Sequence, residues 1–196
     1  MHRRPLLHLL ARHRQRHPDD AARVDRFRAF VDAHPDCFDR ALAIGHVTAS
    51  AWIVDPSGTR ALLLHHRKLD RWLQPGGHAD GETDVLTVAR SEVGEETGLT
   101  PNVIVREPAS DVVDCFDVDI HAIPARPARG DRPAEPAHHH YDVRFAFRAG
   151  ADWRRATAAL AEAHALRWVP LDAVADYAGD DRSILRMCER WRAGWP

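Results

Sequence analysis

Residues 76–99, GGHADGETDVLTVARSEVGEETGL, carry more structural information than any other part of the 196-residue chain. Paired glycines follow residues 73–75, a pattern that predicts a strand end turning sharply where another backbone approaches closely. A helix of about four turns is predicted next, with Thr83 or Asp84 as its N-cap and Gly98 as a left-handed C-cap. The local unit is therefore a strand, a glycine turn, an acidic helix and a cap.

Three glutamates are concentrated near the end of this predicted helix. Glu92, Glu95 and Glu96 stand at i, i+3 and i+4, so a helix projects them from one face with Cβ atoms about 5 to 6 Å apart. Carboxylates this close repel one another unless a cation lies between them, and hard oxygen ligands suit Mg²⁺ or Mn²⁺. Three glutamates alone are more often a solvated helix face, but the glycine turn and caps favour a metal site.

The same segment resembles the signature of the Nudix hydrolase family, which is Gly, five residues, Glu, seven residues, then Arg-Glu-apolar-x-Glu-Glu-x-Gly-apolar. The residues in register are Gly77, Glu92, Val93, Glu95, Glu96, Gly98 and Leu99. The signature's first Glu falls on Thr83 and its Arg on Ser91, whereas Glu82 and Arg90 stand one place earlier. We interpret this shift as a shorter loop and a longer helix. A π-bulge near Ser91 would then restore the orientation of Arg90.

The resemblance implies an α/β fold, namely an α/β/α sandwich around a mixed β-sheet. It also implies hydrolysis of the diphosphate linkage of a nucleoside diphosphate derivative by attack of water at phosphorus. Carried over by position, Glu92, Glu95 and Glu96 are expected to bind Mg²⁺ or Mn²⁺, and Gly77 to offer its carbonyl. Any of the glutamates is a candidate base. Arg90 is expected to orient a carboxylate of the cluster, provided that its displacement is compensated.

Two other functions remain open at this stage. A module with the same fold that binds a nucleotide without hydrolysing it is the main alternative, although such a module has no reason to keep three mutually repelling carboxylates. An isopentenyl-diphosphate isomerase-like enzyme ranks lower, because Cys37, Cys115 and Cys188 match no motif for that reaction. Their odd number and wide spacing also argue against a disulfide framework and a zinc site.

Several basic and histidine residues are candidates for contact with the substrate. Arg67 precedes the glycine turn and is the favoured phosphate contact among the neighbouring arginines, because a guanidinium binds phosphate bidentately. His78 lies within the turn itself. Further along, His138, His140 and Asp142 alternate along a predicted strand and so share one face, which suits substrate contact or a second metal site for a transition metal. With 14 histidines in the chain, some clustering also arises by chance.

The rest of the chain predicts one domain with an extension. Residues 1–40 form two amphipathic helices that either pack on the core or make a homodimer contact. Residues 41–196 form the hydrolase domain. We predict strands over 47–53, 61–64, 103–106, 112–120, 143–147 and 166–169 and helices over 171–177 and 182–192.

Composition and charge exclude some classes of partner. The formal net charge is −2 and the isoelectric point about 6.7, so a general nucleic-acid-binding surface is not indicated. No apolar stretch is long enough to span a membrane, and the N-terminus lacks a signal-peptide pattern. We therefore expect a cytoplasmic protein whose partner is a small nucleotide diphosphate substrate.

Overall fold

A computed structural model describes residues 2–100, 102–103, 113–128, 130, 133–159 and 163–195. The described chain contains five α-helices, which are α1 (Arg4–Arg16), α2 (Ala21–Ala33), α3 (Val85–Thr97), α4 (Val174–Ala178) and α5 (Arg182–Arg192). It contains eight strands, which are β1 (Gly45–Val54), β2 (Arg60–His66), β3 (Arg71–Leu73), β4 (Gly76–His78), β5 (Asn102–Val103), β6 (Asp117–Ile123), β7 (His138–Arg148) and β8 (Ala163–Pro170). No described helix is long and apolar enough to cross a membrane.

All eight strands belong to one mixed sheet with β1 near its centre. On one side β1 runs parallel to β7 along its whole length. On the other side it pairs antiparallel with β4 through Thr48–His78 to Ser50–Gly76, and with β2 at Val54–Ala61. The remaining pairs are antiparallel, with β6 on β7 and β8 on β2. The mixed sheet predicted from the sequence is confirmed.

Alternation along β1 divides the core into two layers. Val47, Ala49, Ala51 and Ile53 belong to a buried cluster shared with α1, α2 and α3. Trp52 and Val54 face the other way and belong to a second cluster shared with α4 and α5. Because successive strand residues point to opposite faces, helices cover both faces of the sheet. The α/β/α sandwich is confirmed, and the histidine and hydroxyl side chains of β1 lie on the face of α4 and α5.

The N-terminal helices pack against the sheet. Phe27 and Phe30 of α2 contact Tyr141 of β7, and the Phe30 and Tyr141 rings stack with centroids 3.8 Å apart. Between α2 and α5, Asp20 accepts hydrogen bonds from His13 and Arg190 at 2.8 and 2.7 Å. These contacts agree with the predicted extension laid on the core. The division at residue 40 and the homodimer contact stay predictions.

Most predicted elements lie where the periodicity placed them, although β7 begins at His138 rather than 143 and three other elements also differ. The structure begins β6 at Asp117 rather than 112 and extends it to Ile123; position 112 lies outside the described residues. The strand predicted over 103–106 is described only at β5, because 104–106 also lie outside. The helix predicted over 171–177 is the single-turn α4, which begins after the turn at residues 171–173.

Candidate active site at the glycine turn and its cavity

Helix α3 begins and ends as its capping residues predict. The Asp84 side chain accepts hydrogen bonds from the backbone N–H groups of Leu86 and Thr87, which satisfies two otherwise unpaired donors of the first turn. Gly98 ends the helix with φ of +67°, a conformation in which a Cβ is strained. Val88, Ala89 and Val93 bury one side of the helix against the sheet, so the helix is fixed in its orientation toward β4.

Two of the three glutamates contact the glycine turn. The Glu96 carboxylate is almost completely buried, at 4% exposure, and its Oε2 accepts a hydrogen bond of 2.8 Å from the backbone N–H of Gly76. The Glu92 carboxylate lies so close to Gly77 that a Cβ added there would overlap it. Glu95 is exposed. The geometry therefore favours Glu92 and Glu96 as the pair that acts at the turn, with Glu95 at its solvent side.

The π-bulge expected near Ser91 is not observed. Every residue of α3 is described, and the helix is α-helical from Val85 to Thr97 without a π turn. Ser91 therefore occupies the position of the signature's arginine on a regular helix. Arg90 is exposed and, one residue earlier on a regular helix, is rotated by about 100° from that position. The orienting role expected of Arg90 is not supported by this geometry.

A cavity of about 700 Å³ opens on the other side of the glycine turn, between the sheet and the start of α5. Its wall includes Gly76, Gly77, His78 and Arg71. Its volume lies in the usual range of about 300 to 1,000 Å³ for ligand pockets. Among the described residues, Arg71 and not Arg67 lines this wall. A phosphate in the cavity would thus meet Arg71, whereas Arg67 is exposed outside it.

The floor of the cavity is a buried network of ion pairs. Arg144 is 1% exposed and donates to Asp142 at 2.8 Å and to Asp117 at 3.2 Å. Arg186 of α5 donates to Asp117 at 2.8 Å and to Asp119 at 2.9 Å. Burial alone would raise the pKa of Asp119, but a hydrogen bond from His121 and the charges of Arg144 and Arg186 hold it below its ordinary value.

Asp142 is predicted as a substrate contact, and the structure shows which protein groups already bind its carboxylate. It lines the cavity, yet both carboxylate oxygens accept hydrogen bonds from the protein. Thr48 donates to Oδ1 at 3.0 Å, and Ser50 donates to Oδ2 at 2.7 Å, the oxygen that also accepts from Arg144. These hydrogen bonds fix the orientation of the Asp142 carboxylate, and its role as a substrate contact stays a prediction.

A cluster of four histidines, His46, His78, His138 and His140, lies at the end of the cavity; we call it the histidine cluster. The expected proximity of His138 and His140 is observed, with their Nε2 atoms 3.3 Å apart. Burial, then the nearby His78 and His138, lowers the pKa of His46 to about 4, while burial and four neighbouring histidines lower that of His140 to about 2. The imidazoles of His46 and His140 are therefore neutral near pH 7.

No motif in the sequence marks His46 as a functional residue, although the strand pattern carries a signal for it. Val47, Ala49, Ala51 and Ile53 predicted the apolar face of β1. The same alternation places His46 on the opposite face, together with Thr48 and Ser50. Only the neighbouring strands show what that face does, because His46 pairs in register with His140 of β7.

Comparison with protein-family models shows that residues 45–188 match the NUDIX domain. The chain belongs to the Nudix family. The match begins at β1 and ends within α5, so it includes the glycine turn, α3 and the cavity. The fold and the family together identify the protein as a Nudix hydrolase.

Solved Nudix structures share the fold at low sequence identity. A NUDIX-family hydrolase from Clostridium perfringens aligns with a TM-score of 0.57 and 18% identity, covering 76% of this chain and 97% of that one. A MutT NUDIX hydrolase from Burkholderia pseudomallei aligns with a TM-score of 0.52 and 19% identity, covering 74% and 97%. Comparison with curated proteins gives no significant match. At these identities the similarity of the Nudix structures establishes the fold and not the substrate.

The cysteines of this Nudix hydrolase do not support the isomerase alternative. Cys37, Cys115 and Cys188 are free thiols and all are buried. Among the described residues, the cavity wall contains none of them. An isomerase-like mechanism requires a cysteine that reaches the substrate, so the cavity offers no such group.

Proposed function

We propose that this Nudix hydrolase cleaves the diphosphate linkage of a nucleoside diphosphate derivative by attack of water at phosphorus, using Mg²⁺ or Mn²⁺. The observation that carries the proposal is the placement of Glu92 and Glu96 against the glycine turn. The cavity lies on the other side of the same turn. A diphosphate bound at that wall is separated from the carboxylates only by glycine backbone.

The residues at the turn fit a hard divalent cation. The donors available there are the carboxylates of Glu92, Glu95 and Glu96 and the carbonyl of Gly77, so every donor is oxygen. Mg²⁺ and Mn²⁺ prefer such ligands. Gly77 also lacks the Cβ that would occupy the space of the Glu92 carboxylate. The carboxylate can therefore lie directly beside the backbone of the turn.

When bound, the cation neutralises the charge that develops on phosphate oxygens and lowers the pKa of a bound water. The protein's own residues position the reaction. The hydrogen bond from Gly76 fixes the buried Glu96 carboxylate in one orientation. Glu92 and Glu95 are further candidates for the base, and Glu95 is exposed to solvent.

The cavity supports a substrate of nucleotide size that carries phosphates. Its volume of about 700 Å³ is sufficient for a nucleoside with a short phosphate chain. Arg71 offers a guanidinium in the wall near the turn, and a guanidinium binds two phosphate oxygens at once. His78 and His140 line the same wall and are the histidine candidates for contact with the substrate.

The test is a panel of nucleoside triphosphates, dinucleoside polyphosphates and ADP-ribose-type diphosphates, assayed for phosphate-containing products. The full chain is assayed with Mg²⁺, with Mn²⁺ and with excess chelator. A Glu92→Gln, Glu96→Gln double variant is compared with Glu189→Gln, which changes an exposed glutamate on α5. We expect metal-dependent turnover of at least one compound, lost in the double variant and kept in Glu189→Gln.

The non-hydrolysing alternative predicts a different result. It requires that no compound is turned over by the wild-type chain, while a nucleotide still binds in a metal-dependent manner. That outcome would replace the hydrolase with a binding module. It would also indicate Ser91, at the position of the signature's arginine, as the reason for lost catalysis.

A further inference from the structure

Three adjacent strands each place one histidine on the same face of the sheet. His46 of β1 is paired with His140 of β7 in parallel register. On the other side of β1, Thr48 is paired with His78 of β4, so His78 lies one residue pair further along the same face. The three imidazoles come from positions far apart in sequence. Strand register therefore holds their backbone positions together.

The three rings form a nearly equilateral triangle. Their centroids are separated by 5.0 Å between His46 and His78, 4.8 Å between His46 and His140, and 5.0 Å between His78 and His140. One nitrogen from each ring lies within 4.8 Å of the other two. In a tetrahedral zinc site with bonds of 2.0 to 2.1 Å, ligand nitrogens are about 3.3 Å apart. Metal binding therefore requires side-chain rotations that bring the three nitrogens closer together.

His46 is buried without a hydrogen-bond partner. It is 3% exposed, and within the described part of the chain neither Nδ1 nor Nε2 finds a donor or acceptor. A neutral imidazole has one N–H and one lone pair, and leaving such groups unpaired in the interior is costly. A metal ion between the three rings supplies a partner for the lone pair.

The neighbouring rings make hydrogen bonds that decide which of their nitrogens can bind a metal. Nδ1 of His138 donates to the carbonyl of Pro136 at 2.9 Å. In the neutral ring, Nε2 of His138 then accepts from Nε2 of His140 at 3.3 Å, which leaves the lone pair of His140 on Nδ1. Nδ1 of His78 accepts from Arg40 at 2.7 Å, so Zn²⁺ binding at His78 requires this hydrogen bond to open.

We propose that His46, His78 and His140 form a binding site for one Zn²⁺ ion, separate from the oxygen-donor site at Glu92 and Glu96. Three imidazole nitrogens suit Zn²⁺ and similar transition metals rather than Mg²⁺. His78 and His140 line the cavity, so the remaining coordination position faces the cavity and is open to water or to an anionic group of a ligand. The site does not depend on the proposed hydrolysis.

Metal titration of the full chain tests the site without an activity assay. After treatment with chelator and dialysis, the protein is titrated with Zn²⁺ against a chromogenic chelator and with Co²⁺ while its visible absorption is recorded. We expect one tight Zn²⁺ per chain, an absorption band of tetrahedral Co²⁺, and no displacement by millimolar Mg²⁺. Zn²⁺ is also expected to raise the melting temperature by several degrees.

The decisive variants are His46→Leu and His140→Asn, with His164→Asn as the control at an exposed histidine. Both are expected to weaken Zn²⁺ binding at least 100-fold, while the control keeps the wild-type affinity. His46→Leu replaces unpaired nitrogens with carbon, so its melting temperature without metal is not expected to fall, which keeps the test valid if His140→Asn folds poorly. Unchanged Zn²⁺ affinity in His46→Leu would overturn the proposal.

Discussion

Two groups of chemically active side chains approach strand β4 from opposite faces of the sheet. Glu92 and Glu96 contact Gly77 and Gly76 from the α3 side, whereas His78 joins the histidine cluster on the cavity side. The glutamates come from consecutive turns of one helix. The histidines come from separate strands. The spacing along one helix therefore brings the oxygen donors together, whereas the pairing of separate strands brings the nitrogen donors together.

The largest effect is expected at Glu96. Glu96→Gln keeps the shape of the side chain but removes a buried negative charge that the cation and the turn require, so kcat/KM is expected to fall by about 10² to 10³. His46→Leu, on the other face, is expected to lower it less than tenfold at saturating Mg²⁺. Initial rates on the substrate identified from the panel measure both values. A larger loss in His46→Leu would reverse the comparison.

Gly77→Ala tests whether Glu92 needs the space that the missing side chain of Gly77 leaves open. The new Cβ overlaps the Glu92 carboxylate, so Glu92 must move and kcat/KM is expected to fall at least tenfold with the fold retained. Gly94→Ala is the matched control, because a Cβ there meets nothing within 4 Å. It is expected to keep activity and to stabilise the helix by about 0.5 to 1 kcal/mol. Equal activities in the two variants would argue against the role of Glu92.

The glutamate helix and the histidine cluster also differ in how far each could be predicted from the sequence. The caps of α3, the glycine turn and the spacing of the glutamates follow from rules that act within about four turns of helix. His46 does not, because its partners His78 and His140 depend on which strands pair and in what register. The π-bulge predicted near Ser91 is not observed. A displaced Arg90 looks the same in sequence whether the helix bulges or stays regular.

Low pH is expected to lower the stability of the protein, because it breaks ion pairs in the floor of the cavity. The pKa of Asp119 is held below its ordinary value, so its contribution to stability is complete above about pH 4 and is lost as the pH falls through the lowered value, amounting to about 2 kcal/mol. Denaturant unfolding at pH 5 and pH 2.5 measures the loss. Asp119→Asn should be less stable at pH 5 and show a smaller change between these pH values. An unchanged acid response in Asp119→Asn would contradict this account.

The smallest effect is expected from Ser91→Arg. This substitution places an arginine at the signature position, one turn before Glu95 on the exposed side of α3. An arginine there can pair with a carboxylate of the cluster and orient it, so kcat/KM is expected to rise about threefold, or by about 0.7 kcal/mol. Arg90→Ala, as the companion variant, is expected to leave the rate unchanged. A loss of rate in Arg90→Ala would show that Arg90 retains the positioning role despite its exposure.

The most direct test is the binding of Mn²⁺ measured by the electron paramagnetic resonance signal of the free ion. Wild-type protein, the Glu92→Gln, Glu96→Gln variant and His46→Leu are titrated under the same conditions. If Glu92 and Glu96 bind the hard cation, the double glutamate variant loses Mn²⁺ binding and His46→Leu retains it. Retention of Mn²⁺ by the double variant together with its loss in His46→Leu would contradict the assignment.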